Sequence, residues 1–105
     1  MRILDDGVAI RTKHVDESCA TILLGEYASG VPLIMIESVD GERLCVATTN
    51  LEGYGKYPEE GNVFIKDWSE NEGVLDALVK AEIISKPVRE VPAGFATAYE
   101  CTLLP

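Results

Sequence analysis

The chain has 105 residues, enough for one domain over residues 1–105, and its 47% apolar and 26% charged residues are those of a globular protein rather than a disordered one. Eighteen Asp and Glu against nine Lys and Arg give a net charge of −9, a field that repels nucleic acid, since gripping a phosphate backbone needs a basic footprint. No apolar run approaches the roughly 18 residues of a membrane span, and Asp5 and Asp6 interrupt the start where a signal peptide would be apolar, so a cytoplasmic protein is expected.

Residues 8–15 alternate, with Val8, Ile10 and Thr12 on one face and Arg11 and Lys13 on the other, the pattern of a half-buried edge strand. Asp16, Glu17 and Ser18 break that run. Residues 19–27 are apolar on both sides, as in an interior strand, with Gly25 marking a bulge or a close backbone contact. Ser29-Gly30 turns the chain into residues 31–39. Asp40-Gly41 then reads as a two-residue type I′ hairpin turn, because both central positions of that turn need positive φ. This register sets Ile34 opposite Ala47, Met35 opposite Val46, Ile36 opposite Cys45 and Glu37 opposite Leu44.

Cys19, Cys45 and Cys101 lie far apart without paired spacing, which predicts reduced thiols acting as small buried hydrophobes. His14 stands near the end of the first strand as a surface imidazole, with a Cys-His dyad as the sharper reading. Neither pattern names a metal, and no metal or cofactor is expected.

Residues 51–62 are irregular, punctuated by Gly53, Gly55 and Pro58, and read as an ordered surface loop. A phosphate-cradling loop would run directly into a helix after a Lys-Ser or Lys-Thr pair, and Lys56 is followed by Tyr57. Either the loop packs its own tyrosines, or Tyr54, Tyr57 and the nearby Trp68 form a recognition surface.

Val63-Phe64-Ile65 is long enough for a strand and too short for a helix. The helix follows at once. Ser69 and Glu72 have capping-box spacing, as do Asp67 and Glu70, while Val74, Leu75, Leu78 and Val79 form an apolar stripe opposite Glu72, Asp76 and Lys80. Asp76 and Lys80 add about 0.3 kcal/mol as a pair, small beside the roughly 1.5 to 3 kcal/mol from burying each Leu or Val, so packing holds this helix. Gly73 inside it implies a loose first turn or something packed close by. Trp68, at the strand-helix junction, is either an aromatic lid over the end of the core or an anchor for a partner.

Residues 62–84, with the strand VFIKD, the turn WSENEG and the run LDALVKAEII, resemble a family of short uncharacterised proteins from bacterial plasmids, conjugative elements and phages. There a similar block, with Tyr at the position of Trp68 and Gly at that of Glu82, precedes a short helix rich in Leu and Ala. The resemblance covers about a third of the chain. It implies a mobile-element origin and a domain of unknown function, and it carries over no catalytic residue.

Beyond the helix, residues 82–91 read as a strand that Pro87 confines to an edge or a bulge. Residues 91–94, Val-Pro-Ala-Gly, fit a type I turn. In the closing strand Thr97, Tyr99, Cys101 and Leu103 are expected on the core face, opposed by Ala96, Ala98, Glu100 and Thr102. The predicted fold is α+β: one mostly antiparallel sheet of five to seven strands, with an N-terminal meander, a C-terminal hairpin and one amphipathic helix packed on a face.

Acidic pairs such as Asp5-Asp6 point to opposite faces of a strand and do not by themselves make an acid-base site. A module without catalysis is therefore expected, binding a basic protein surface through Tyr54, Tyr57 and Trp68 with Glu59, Glu60, Glu70, Glu72 and Asp76 around them. Neither nucleic acid nor membrane is an expected partner, and no catalytic residue is named. The competing reading is a small ligand-binding protein or enzyme with a pocket between helix and sheet.

Overall fold

The computed structural model describes residues 1–13 and 15–105, and the reading of His14 lies outside the described residues. The first half of the chain folds as the expected N-terminal meander, with the first strand at Arg2–Arg11 rather than residues 8–15. Strands β1 (Arg2–Arg11), β2 (Asp16–Glu26), β3 (Pro32–Glu37) and β4 (Arg43–Val46) pair antiparallel in that order. The second half makes β5 (Asn62–Ile65), helix α1 (Val74–Lys80), β6 (Arg89–Ala93) and β7 (Ala96–Thr102), whose strands pair in the order β5-β7-β6. The class is α+β with antiparallel pairing, but there are two sheets where one was expected.

The cause of the division sits at Thr48. Its hydroxyl accepts from the Ile34 amide at 3.3 Å and bonds the Tyr27 hydroxyl at 3.0 Å, so a side chain takes the place of the next ladder bond between β3 and β4. There the chain crosses to the second sheet through the Thr48 and Ile65 bridge, with Thr49 N donating to Phe64 O and Lys66 N to Ala47 O. This crossing carries the backbone bonds from the first sheet to β5.

Strand alternation decides what is buried. Val8, Ile10, Ala20, Ile22, Ile34 and Ile36 from the first sheet meet Val63, Ile65 and Cys101 from the second, with Val74 and Leu78 of α1 and Ile83 and Ile84 closing the cluster. The opposite face of the second sheet carries a smaller cluster of Leu51, Phe64, Val91 and Ala98, overlaid by Trp68 and Ala93. β7 is therefore covered on both faces, not only on the Tyr99 and Cys101 side. Cys19, expected inside, is exposed in β2, whereas Cys45 is half-buried and Cys101 buried.

Two turns differ from expectation. Between β3 and β4, Gly41 N donates to Ser38 O at 3.0 Å and Ser38 N to Glu42 O at 2.8 Å, and Gly41 has φ 85° while Asp40 is not in the positive region. This is a type I turn followed by a left-handed glycine, one residue longer than a type I′ loop. Met35 still faces Val46 and Ile36 faces Cys45, but Glu37 faces Arg43 rather than Leu44. At the C-terminal hairpin Ala93 pairs with Ala96, so Gly94 and Phe95 make the reversal and Val91 and Pro92 remain in the strand.

The helix starts later than either capping box. Ser69 (φ 54°) opens a single 3-10 turn, Ser69–Asn71, and the residue before the helix is Gly73 (φ 107°). Asp67 does the capping across sequence, its Oδ1 accepting from Gly73 N and Leu75 N at 3.0 Å each. A seven-residue helix has few bonds of its own and depends on that cap and on Val74 and Leu78, both fully buried. At the other end Glu82 N donates to Val79 O and Ile83 N to Leu78 O, the paired bonds of a Schellman ending, with Glu82 at φ 59° in the position glycine usually fills. Replacing Glu82 with Gly should stabilise the protein by about 1 kcal/mol, read as a higher urea midpoint at unchanged slope.

Candidate partner-binding site

The loop between β4 and β5 lies over the outer face of the second sheet and is held at three points. Tyr54 N and Lys56 N both donate to Leu51 O, winding Glu52–Tyr54 into a 3-10 turn whose Leu51 is buried in the smaller cluster. Lys56 Nζ donates to Pro92 O at 2.7 Å, across to β6. Glu59 N donates to Glu100 Oε2 at 3.0 Å, across to β7.

Glu100 is the organising group of this face. Its side chain is almost completely buried, and its Oε2 also accepts from Asn62 Nδ2 at 2.8 Å, while Oε1 accepts from Arg89 Nε at 2.9 Å and from the second nitrogen of the same guanidinium. Burial by itself raises the carboxyl, but the bonds from Asn62, from the Glu59 amide and from Arg89, together with the Arg89 charge, outweigh it and hold Glu100 below the ordinary glutamate value. Four donors on two oxygens leave no capacity for acid-base work. Glu100 joins loop, β5, β6 and β7.

On this frame Tyr54 and Tyr57 stay open to solvent, with exposures of 62% and 57%. Lys56 Nζ lies 5.9 Å above the Tyr54 ring, and the Tyr54 hydroxyl reaches to within 3.6 Å of where a Cβ on Gly94 would stand. Beside it Phe95 projects fully into water from the tip of the β6–β7 turn. Tyr57 borders a groove of about 340 Å³ shared with Lys56, Arg89, Glu90 and Val91. Glu59 and Glu60 are exposed directly after it.

Trp68 is not a third member of this surface. It is partly buried on the smaller cluster, as the lid reading has it, with Lys66 Nζ 5.8 Å from its ring. Glu70 pairs with Lys66 at 2.8 Å and lines a separate cleft with Tyr27, Cys45 and Thr48. Glu72 and Asp76 are exposed beside and on α1, which packs against β1. Of the eight residues expected to form one face, Tyr54, Tyr57, Glu59 and Glu60 share a loop. Phe95 was missed because the turn was placed at residues 91–94; a two-residue Gly-X loop between alternating strands is the signal that finds it.

Two of the three thiols are held in the unreactive form. Burial pushes the Cys45 thiol up to about 11, with the Glu70 charge adding to the shift and Lys66 opposing it, and burial followed by the Glu100 charge pushes Cys101 up to about 11. Such thiols stay protonated at neutral pH. Among the described residues, no group of three or more His, Cys, Asp or Glu is placed to hold a metal ion, and no helix is long and apolar enough to cross a membrane.

No protein-family model, curated protein or solved structure matches the chain. The FIKDWSENEG block nevertheless has a physical reading of its own, because half of its ten residues have a task in the fold. Phe64 and Ile65 enter the two clusters, Asp67 caps α1, Asn71 Nδ2 donates to Val46 O at 2.8 Å, and Gly73 permits a close backbone approach. These contacts tie the block into both clusters and the start of α1.

Proposed function

We propose that the chain is a small acidic interaction module, cytoplasmic and of mobile-element origin, that binds a basic protein through Tyr54, Tyr57 and Phe95 with Glu59, Glu60 and Glu90 at the rim. The observation that carries this reading is the exposure of three aromatic side chains on a backbone pinned by Lys56 and Glu100. Exposed aromatic area on a rigid support binds with little loss of conformational freedom. Three such rings supply about 500 Å², over half of the roughly 800 Å² on one side of a standard interface. A net charge of −9 favours a basic partner and speeds the encounter. The resemblance of residues 62–84 to plasmid and phage proteins supports the origin.

The test is retention from host lysate by immobilised protein, washed with rising salt, comparing the wild type with a Tyr54→Ala, Tyr57→Ala, Phe95→Ala triple variant. Being exposed, these substitutions should change stability by less than about 1 kcal/mol. A basic protein that elutes with salt from the wild type and is missing from the triple variant is the expected result. Equal retention by both would overturn the assignment of the face.

A further inference from the structure

Residues 19–27 carry the apolar pattern of a strand covered on both faces, yet the first sheet meets the core with one face, through Ile22, Ile34 and Ile36. On the opposite face one row crosses all four strands, Ile3 pairing with Leu23, Leu23 with Met35 and Met35 with Val46. In the adjoining row Met1 lies over Gly25, its Cε 3.0 Å and the Leu33 Cδ2 3.5 Å from where a Cβ on that glycine would stand. None of these side chains belongs to either core cluster. Met35 at the centre is enclosed, Leu23, Leu33 and Val46 are partly open, and Ile3 and Met1 are 60% and 71% exposed. A sheet face that ends in water carries polar residues outward, and over these two rows this one does not.

The row on the other side is polar, with opposite charges at its two ends. Thr21 pairs with Glu37 and Glu37 with Arg43, while Asp6 and Gly7 fill the β1 position between the Asp5 and Val8 pairs. Asp6 and Arg43 are exposed, and neither has an ion-pair partner among the described residues. A twofold axis along the strands, over the line between β2 and β3, stacks β1 on the β4 of a second copy and keeps every row at its own height. Each apolar row then meets itself, and each Asp6 meets the other copy's Arg43. A purely basic or purely acidic partner would match only one end of the polar row. Repulsion between two copies at −9 each is screened beyond about 8 Å at physiological salt.

We infer that the outer face of the first sheet is a self-association surface, on which two copies stack sheet on sheet about a twofold axis parallel to the strands. Four strands at about 4.8 Å and the six residues of β3 at about 3.3 Å give a face of roughly 400 Å² in projection. Two such faces cover about 800 Å² before side-chain relief is counted, the low end of specific interfaces, so the dimer is weak, with a dissociation constant on the order of 10 µM. The face lies across the core from Tyr54 and Phe95, so this inference and the partner-binding reading can fail separately.

Sedimentation equilibrium of the purified chain from about 1 µM to about 1 mM at physiological salt is the test, and the mass should rise from monomer to dimer and stop there. Ile3→Lys, at an exposed position, should weaken the dimer by about tenfold or more, since it buries a charge against the other copy's Val46. Asp6→Arg and Arg43→Asp should each weaken it by about threefold or more, and the two together should restore the wild-type constant. The Tyr54→Ala, Tyr57→Ala, Phe95→Ala triple variant should dimerise as the wild type does. Circular dichroism of each variant reports whether it is folded. A chain that stays monomeric at every concentration, a mass that climbs past the dimer, or a dimer indifferent to Ile3→Lys would overturn the inference. So would a charge-swapped double variant no better than the single ones, or a monomer that is instead retained on neutral phospholipid vesicles, which would give the face to a membrane.

Discussion

Substituting Gly73 with Ala is expected to destabilise the protein by about 3 to 5 kcal/mol, lowering the melting temperature by at least about 12 °C, given the roughly 4 to 8 °C per kcal/mol typical of domains near this size. Two penalties add. The residue sits at φ 107°, where a Cβ is strained in any surroundings. That Cβ would also stand 2.4 Å from the carbonyl oxygen of Arg11, a backbone atom of β1 that cannot swing aside. Relief requires α1 to move off β1, which unseats Val74 and Leu78 from the core and pulls Gly73 N and Leu75 N away from Asp67. Thermal and urea unfolding check this, with two controls. Gly41→Ala also has a positive φ, 85°, but open space, and should lose only about 1 kcal/mol. Gly7→Ala has neither constraint and should stay within about 0.5 kcal/mol. If Gly73→Ala matched Gly41→Ala, the close approach of helix and strand would be refuted.

Glu100→Gln should cost about 2 to 4 kcal/mol at neutral pH, because it removes the buried charge that Arg89, Asn62 and the Glu59 amide surround and turns an acceptor into a donor facing the guanidinium. Arg89→Ala should cost less, about 1 to 2 kcal/mol, since Arg89 is half exposed and its charge is screened while two other donors remain. The pH dependence follows from the lowered carboxyl. Such a group adds stability that is fully present above its unfolded value near 4.5 and is lost as the pH falls through the lower folded value. The gap between wild type and Glu100→Gln should therefore be widest at neutral pH and close on the acid side of 4.5, read from urea midpoints across that range. A gap independent of pH would mean that shape alone, and not charge, fixes Glu100 in place.

Much of the architecture could be read from local chemistry. Alternation marks β1, an apolar run on both faces marks β2, and the turn at Asp40 and Gly41 marks the β3–β4 hairpin with Met35 opposite Val46, because each of these signals lies in neighbouring residues. The stripe of Val74 and Leu78 marks α1 for the same reason. Gly73 in a helical pattern implied a loose first turn or something packed close, and the structure has the close neighbour, with Gly73 just ahead of the helix rather than inside it.

What local pattern could not carry is every decision made by a residue distant in sequence. Asp67 rather than Ser69 caps α1 because the chain folds back over the 3-10 turn, a geometry with no fixed spacing. Thr48 divides the strands into two sheets through bonds to Tyr27 and Ile34. Alternation placed Glu100 on the less apolar side of β7, but only the loop closing over that side, with Asn62 and Arg89 brought to it, turns a surface acid into the buried centre of the second sheet. The sequence by itself determined an acidic chain of antiparallel strands with one short amphipathic helix, because charge and hydrophobic period are properties of neighbouring residues. Only the tertiary structure settled that Phe95 rather than Trp68 reaches solvent and that α1 closes on β1 at Gly73, because exposure depends on what the rest of the chain has covered.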